Sequence, residues 1–160
     1  MRYWYDTEFQ DDGHHIALIS IGVVAEDGRE LHLANADYDR SRADDWLRTH
    51  VLPHLTNVTA LSRPQVRECL HDFFTVSGPP TAFWADHGEY DWIALRQLFG
   101  TLMQWPSGWP IHGMDVAQWR LQIGAPPFPP QTSTAHDALS DALETRARWA
   151  WLAGLAGKTC

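Results

Sequence analysis

The sequence predicts one α/β domain over residues 1–160, built on a mixed sheet of about five strands with helices on both faces. Three runs rich in β-branched and aromatic residues fall within the first 35 positions, which predicts three antiparallel strands. Segments with helical spacing then alternate with a short apolar run, which predicts that the sheet is mixed and that helices cover its faces. A chain of 160 residues is long enough to bury a hydrophobic core of its own.

The predicted strands are bounded by turns or by charged residues. The first covers residues 2–8, where three aromatic residues lead into Asp6 and Glu8. Residues 14–35 form two strands joined at residues 26–28, because an Asp-Gly pair between apolar runs is typical of a hairpin. The apolar run "TAFWAD" is a short buried strand.

The other apolar positions recur at helical spacing. Ser62, Asp115 and Asp137 are the predicted N-caps of three helices, since their side chains can accept hydrogen bonds from free backbone N–H groups. The Pro-rich stretch at residues 125–134 is a rigid loop before the last helix. The predicted helices are residues 41–55, 63–74, 90–99, 116–123 and a final one from about residue 137.

Composition limits the classes of function. The net charge of −8 argues against a protein that coats duplex nucleic acid by charge alone. Eleven of the 12 basic residues are Arg and nine residues are Trp, so forked phosphate contacts and base stacking are both available. Cys69 and Cys160 give no disulfide framework, which is typical of a reducing cytoplasm. Without a signal peptide or a membrane-spanning apolar run, we expect a cytoplasmic protein with no membrane partner.

Two carboxylates follow the aromatic residues of the first strand. Asp6 and Glu8 point to the same face, because side chains alternate along a strand. Neighbouring carboxylates repel each other unless a cation lies between them, and Mg²⁺ or Mn²⁺ is the hard cation that suits oxygen ligands. An Asp-x-Glu triplet is expected by chance roughly once in two chains of this composition, so it needs support from elsewhere.

Two later segments supply that support. Asp91 lies in the first turn of a helix that follows a buried strand, and the helix dipole alone could account for it there. His136 precedes the last helix and Asp141 lies within it. Each motif alone is more often structural than catalytic. Their order and their positions at strand and helix ends are what indicate one metal-dependent site.

The segments "DTE", "YD" and "HDALSD" resemble, in this order, the three exonuclease motifs of the DEDDh 3′→5′ exonucleases. The resemblance implies a ribonuclease H-like fold, in which two strands are added in parallel to the three antiparallel ones. The longer opening run "YDTEFQDDGHHIALISIGVVAEDGRE" is similar to that of the polyadenylate-specific 3′-exoribonuclease AS type, a short single-domain branch of that family. The resemblance extends from Asp6 to Asp141 and therefore covers nearly the whole chain.

The resemblance implies a role for each motif residue. Asp6, Glu8, Asp91 and Asp141 would be metal ligands for two Mg²⁺ ions, which Mn²⁺ can replace, and His136 the general base. Two such ions roughly 3.5–4 Å apart can stabilise the attacking and leaving oxygens of phosphodiester hydrolysis, while an imidazole can accept a proton at neutral pH.

The residues beside Glu8 are the predicted contacts to substrate. Thr7 and Phe9 flank it, and Phe9 could stack on the 3′-terminal base, although core packing at the strand end explains it equally well.

The implied reaction is removal of nucleoside 5′-monophosphates from the free 3′ end of single-stranded RNA. A preference for adenylate tracts and a homodimer are implied by the resemblance alone. Proofreading relatives that act on DNA have Thr-Thr-Gly after the motif Glu, whereas this chain has Phe9-Gln10-Asp11, which favours RNA. The alternatives are a DNA exonuclease, an oligoribonuclease-like enzyme, and an RNA-binding module that has lost activity. A metal-storage protein is disfavoured, because the histidines lack clustered spacing.

Several other polar residues compete for a place in the site. Asp86 ends the "TAFWAD" strand and rivals Asp91, and His87 beside it stays unassigned. The pair His14-His15 is typical of a surface loop. His112 lies three residues before Asp115, which is better explained as a helix cap.

Overall fold

A six-stranded mixed sheet forms the centre of the computed structural model, which describes residues 1–157. The strands are β1 (Arg2–Asp11), β2 (Ile16–Ala25), β3 (Glu30–Asn35), β4 (Thr59–Leu61), β5 (Ala82–Ala85) and β6 (Met114–Asp115). Their order across the sheet is β4-β3-β2-β1-β5-β6. Strands β1, β2 and β3 are antiparallel neighbours, whereas β4, β5 and β6 each run parallel to the strand beside them.

Five α-helices cover the sheet. They are α1 (Asp45–His50), α2 (Arg63–Thr75), α3 (Glu89–Leu98), α4 (Val116–Gln122) and α5 (Ala138–Ala156), with short 3-10 helices at Arg40–Arg42, Leu52–Asn57 and Leu102–Gln104. The predicted caps are confirmed. Ser62 forms a capping box with Gln65, and the Asp115 and Asp137 side chains accept hydrogen bonds from the third residue beyond each.

The predicted fold class is confirmed, with two differences in detail. The sheet has six strands rather than about five, because β4 and β6 are only three and two residues long and leave no alternating pattern in the sequence. The first predicted helix is also shorter than residues 41–55. Only α1 is α-helical there, and the segment from Leu52, which contains Pro53, continues as a 3-10 helix.

Successive side chains of β1 point to opposite faces of the sheet and pack into two separate cores. Tyr3 and Tyr5 pack with residues of α2 and α3 such as Leu70 and Leu95. Trp4 faces the opposite side, where it packs with Leu152 of α5. Burying each such side chain contributes about 1.5–3 kcal/mol, so both faces hold β1 firmly in place. The carboxylates of β1 therefore start from a rigid strand.

A β-bulge interrupts the pairing of β1 with β2 beside Glu8. Glu8 pairs with Ser20 but Phe9 pairs with Leu18, so Ile19 is an extra residue in β2. Ile19 packs with Leu47 and other residues of the α1 region. The bulge thus attaches α1 to the sheet next to the carboxylates.

No helix within residues 1–157 is long and apolar enough to cross a bilayer. Cys69 is a free, half-buried thiol. Cys160, the other cysteine considered above, lies outside the described residues.

Candidate metal centre and catalytic cleft

A cleft of about 460 Å³ opens between β1, the start of α3, α1 and the start of α5. Its walls bring together residues as far apart in the sequence as Asp6 and Arg148. All the residues predicted for the site line this cleft: Asp6, Thr7, Glu8, Phe9, Asp91, His136 and Asp141. The roles predicted for them depend on the contacts described below.

Asp6 and Glu8 lie in the middle of β1, half-buried and buried, respectively. No Arg or Lys side chain within residues 1–157 forms an ion pair with either of them. Burial, followed by repulsion from the nearby Asp141 and Asp91, raises the pKa of Glu8 to about 8. Burial, followed by repulsion from Asp91 and Glu8, also raises the pKa of Asp6 well above its usual value. A bound cation would relieve both effects.

Asp91 is held against the unpaired edge of β1, where both it and Thr7 are buried. Strand β5 pairs with β1 only as far as Trp4, so the next part of β1 has no strand on that side. The Asp91 Oδ1 atom fills this position, accepting hydrogen bonds from the Thr7 backbone N–H at 2.8 Å and from its hydroxyl at 2.6 Å. Burial raises the pKa of Asp91 to about 6, although these two hydrogen bonds act to lower it. The Thr7 hydroxyl therefore positions Asp91, and its predicted contact with substrate stays a prediction.

His136 and Asp141 are joined at the start of α5. The His136 backbone N–H donates to Asp141 Oδ2 at 2.8 Å, and the side-chain amide of Gln131 donates to Oδ1. His136 has φ 63°, a left-handed conformation that is uncommon for a residue with a side chain and is often found at functional sites. The loop before α5 is thus attached to the carboxylate that follows it.

Three side chains converge closely enough to share one cation. Possible ligand atoms of Glu8, His136 and Asp141 all lie within 4.8 Å of one another. The two carboxylates suit Mg²⁺ or Mn²⁺, which prefer oxygen ligands, and the imidazole lies close enough to act on a water molecule bound at such an ion. Asp6 and Asp91 line the same cleft but do not belong to this group of three.

Asp86 lines the cleft too, but its charge is compensated. It forms an ion pair with Arg148, which also bonds Glu144 at 3.0 Å. Asp91 has no such cationic partner within the described chain. This difference favours Asp91 over Asp86 as the metal ligand of the second motif. His87 lines the rim with a side chain that is 84% exposed, and no role is assigned to it.

The other histidines considered above lie outside the cleft. The backbone N–H groups of His14 and His15 donate to Asp12 Oδ1 in the loop between β1 and β2. His112 lines a separate depression with Asp115. Asp115 caps α4 and also accepts from the Gly88 N–H at 2.8 Å, so it fixes the start of α3, which carries Asp91.

Phe9 is a predicted site residue, but sequence reasoning missed Trp46 as a wall of the cleft and Tyr90 as the ring against which Phe9 packs. Trp46, which falls within the helix predicted over residues 41–55, is 48% exposed, and its ring centroid lies 4.8 Å from that of His136, edge to face. Phe9 stacks on Tyr90 with ring centroids 5.5 Å apart. The sequence did contain one indication that Trp46 is exposed. Trp46 directly precedes Leu47, and adjacent residues of a helix do not face the same core.

Thr7→Val is expected to lower kcat about tenfold, because a buried carboxylate loses a charge-assisted hydrogen bond that contributes roughly 1.5–3 kcal/mol. The backbone N–H of residue 7 would still hold Asp91 loosely. Thr7→Ser keeps the hydroxyl and is the matched control. Steady-state hydrolysis of an RNA oligomer by both variants checks this, and equal kcat values for the two would contradict the positioning role.

Comparison with known sequences shows the family of this chain. The family model described as the 3'-5' exoribonuclease Rv2179c-like domain matches residues 1–152. The chain belongs to this family. Among its relatives, the 3'-5' exoribonuclease Rv2179c of Mycobacterium tuberculosis strain H37Rv is 44% identical to this Rv2179c-like domain over 153 residues, covering 93% of this chain and 91% of the relative. The corresponding protein of strain CDC 1551, MT2234.1, matches equally well. The predicted enzyme class, 3′→5′ exoribonuclease, is thereby confirmed.

Solved structures show the same fold at low sequence identity. The S. pombe Pop2p structure in its Mg²⁺- and Mn²⁺-bound form aligns with a TM-score of 0.61 at 13% identity, covering 92% of this chain and 81% of that one. One chain in the structure of the yeast NOT1 MIF4G domain co-crystallized with CAF1 aligns with a TM-score of 0.52 at 12% identity. The alignment covers 97% of this chain and 79% of that one. The ribonuclease H-like fold predicted for this Rv2179c-like domain is confirmed.

Proposed function

We propose that this chain, acting as a single domain, is a metal-dependent 3′→5′ exoribonuclease that releases nucleoside 5′-monophosphates from single-stranded RNA. The observation that carries the proposal is the convergence of Glu8, His136 and Asp141 in an acidic cleft, with ligand atoms within 4.8 Å of one another. Membership of the exoribonuclease family supports the same reaction.

The metal ligands of the proposal are Asp6, Glu8, Asp91 and Asp141, which would hold two Mg²⁺ ions or, in their place, Mn²⁺. The raised pKa values of Glu8 and Asp91 support this, because buried carboxylates without a cationic partner favour binding of a cation. The related Pop2p structure contains both kinds of ion. Bound at these carboxylates, divalent ions would polarise the scissile phosphate and stabilise charge on the attacking and leaving oxygens.

His136 is the general base of the proposal, taking a proton from the water that attacks the phosphate. Its position supports this role in two ways. The backbone N–H bonds Asp141, and the ring is packed edge-on against Trp46, so the imidazole is confined beside the carboxylates. An imidazole can accept a proton near neutral pH, where the carboxylates of the site are committed to metal.

Aromatic surfaces at the rim of the cleft support single-stranded RNA as substrate. The Phe9–Tyr90 stack and the exposed face of Trp46 offer flat surfaces for bases, and each stacked base contributes roughly 1–3 kcal/mol. Adenine has a larger stacking surface than uracil, so we propose a preference for adenylate tracts.

A homodimer is also proposed for the Rv2179c-like domain. The support is a set of exposed apolar side chains, which would suit an interface between copies: Leu102, Met103 and Ile111, each more than 70% exposed. Sedimentation velocity measures the oligomeric state directly.

The test is a gel ladder from 5′-labelled single-stranded oligomers of A, U and deoxy-A, incubated with protein in Mg²⁺ or in EDTA. We expect stepwise shortening of the A-RNA that disappears in EDTA and with Glu8→Gln, which also controls for contaminating nucleases. Faster shortening of A than of U, with the difference reduced by Phe9→Leu, would support the adenylate preference.

The other outcomes favour the alternatives. Shortening of deoxy-A at the rate of A-RNA would indicate a DNA exonuclease, and activity confined to oligomers of a few nucleotides an oligoribonuclease-like enzyme. If no oligomer is shortened in Mg²⁺ or in Mn²⁺, the proposed function is wrong and the RNA-binding module takes its place.

A further inference from the structure

A row of three residues crosses the sheet beneath the start of α5. Asp6 of β1 pairs with Gly22 of β2, and Gly22 pairs with His32 of β3. Residues paired across neighbouring strands project to the same face, so Gly22 and His32 lie on the side of the sheet that carries the metal-site carboxylates. Neither residue lines the catalytic cleft.

Gly22 allows the backbone of α5 to touch the sheet. A Cβ atom at position 22 would lie 2.2 Å from the Ala138 carbonyl oxygen and 2.3 Å from the Leu139 nitrogen. Real Cβ atoms do not approach other atoms within 3.0 Å, and a helix backbone cannot rotate aside as a side chain can. Gly22 is not among the residues with positive φ, so what matters there is the absent side chain and not backbone freedom.

His32 lies beside this contact and faces the cap of α5. Its Nδ1 atom is 4.0 Å from Asp137 Oδ2, and its side chain is only 15% exposed. The other carboxylate oxygen, Asp137 Oδ1, accepts from the Ser140 N–H at 2.9 Å and so caps the helix. The His32 ring therefore limits where the capping residue and the adjoining His136 can lie.

We propose that Gly22 and His32 form a seat that sets the distance of α5 from β1, and so are positioning residues for Asp141 and His136. This inference rests on the proposed function. Asp141 lies one turn beyond the Gly22 contact, so a shift of the helix start moves it directly relative to Glu8. An alanine at position 22 would displace the helix by about 0.8 Å or more, and misplacements of about 1 Å can cost roughly a hundredfold in rate.

The experiment compares Gly22→Ala with Gly154→Ala, a control on the same helix where an added Cβ meets no atom within 4 Å. For folded Gly22→Ala, we expect KM for an A-RNA oligomer within about threefold of wild type and kcat lowered about thirtyfold or more. Affinity for Mn²⁺ alone, measured by calorimetry, should fall about tenfold. Gly154→Ala should match wild type in all three. If Gly22 served only the stability of the fold, Gly22→Ala would lower the melting temperature but leave the Mn²⁺ affinity and the kcat of the folded protein unchanged.

A second variant keeps the inference testable if Gly22→Ala does not fold. His32→Ala removes the ring that faces Asp137, and we expect kcat and Mn²⁺ affinity each to fall about threefold to tenfold. The inference is wrong if folded Gly22→Ala keeps the kcat and the Mn²⁺ affinity of the wild type. Should Gly22→Ala be insoluble, the same result with His32→Ala would contradict the inference. If the wild-type chain hydrolyses no RNA, the proposed function is wrong. The Mn²⁺ titrations would still show whether Gly22 and His32 position the metal-site residues.

Discussion

Asp6→Asn should lower kcat by about a thousandfold or more and at the same time raise the melting temperature of the metal-free protein. The rate loss corresponds to about 4 kcal/mol of transition-state stabilisation, because an amide cannot replace a carboxylate as ligand to a divalent ion. The stability gain has an electrostatic cause. Burial and the charges of Asp91 and Glu8 raise the pKa of Asp6, so above the ordinary carboxyl pKa folding requires either a buried repulsion or the uptake of a proton, and the neutral amide avoids both.

Single-turnover hydrolysis of labelled RNA and thermal unfolding in EDTA measure the two effects. Asp72→Asn is the matched control, since it makes the same substitution at a side chain that is 86% exposed. It should leave both the rate and the melting temperature unchanged. An Asp6→Asn variant that is inactive but less stable than wild type would show that Asp6 serves the fold rather than the metal site.

The metal-free protein is expected to lose stability as the pH rises from about 4 to about 8.5. Glu8, with its pKa raised to about 8, and Asp91, with its pKa raised to about 6, keep their protons in the folded state at pH values where the unfolded chain has released them. Stability from these groups is therefore complete below the ordinary carboxyl pKa. It is lost as the pH passes first through about 6 and then through about 8.

Thermal unfolding at several pH values, in EDTA and in millimolar Mn²⁺, measures this linkage. Because Mn²⁺ binds the ionised carboxylates, its stabilising effect should grow with pH and amount to several degrees at the alkaline end. Glu8→Gln should flatten the pH dependence in EDTA, since it removes the group with the larger shift. A melting temperature in EDTA that rises between pH 6 and about 8.5 would contradict the proposed burial of uncompensated carboxylates.

Features that depend on local sequence could be predicted. The caps at Ser62, Asp115 and Asp137 follow from short-range hydrogen bonds, and the hairpin turn follows from the Asp-Gly pair at residues 26–28. The common face of Asp6 and Glu8 follows from the alternation of any strand. The resemblance to a nuclease family then indicated which distant residues should join them.

Features that depend on tertiary contact could not be predicted. The ion pair of Asp86 with Arg148, 62 residues later, distinguishes Asp86 from Asp91, and neither segment shows it alone. The same holds for the bond between Thr7 and Asp91 and for the approach of α5 to Gly22, since both form only when separate elements pack together. Strands of two or three residues such as β6 exist because a neighbouring strand pairs with them.

The hydrogen bonds from Thr7 to Asp91 also cover the part of the β1 edge that β5 leaves unpaired. Beyond Trp4 the β1 strand has a free side, and an exposed strand edge can recruit a strand from another molecule. Asp91 accepts the hydrogen bond of the Thr7 backbone N–H on that side, and its carboxylate lies where another strand would have to pair. A residue proposed for metal binding therefore also covers an unpaired sheet edge, and we expect its removal to favour association between molecules as well as loss of activity.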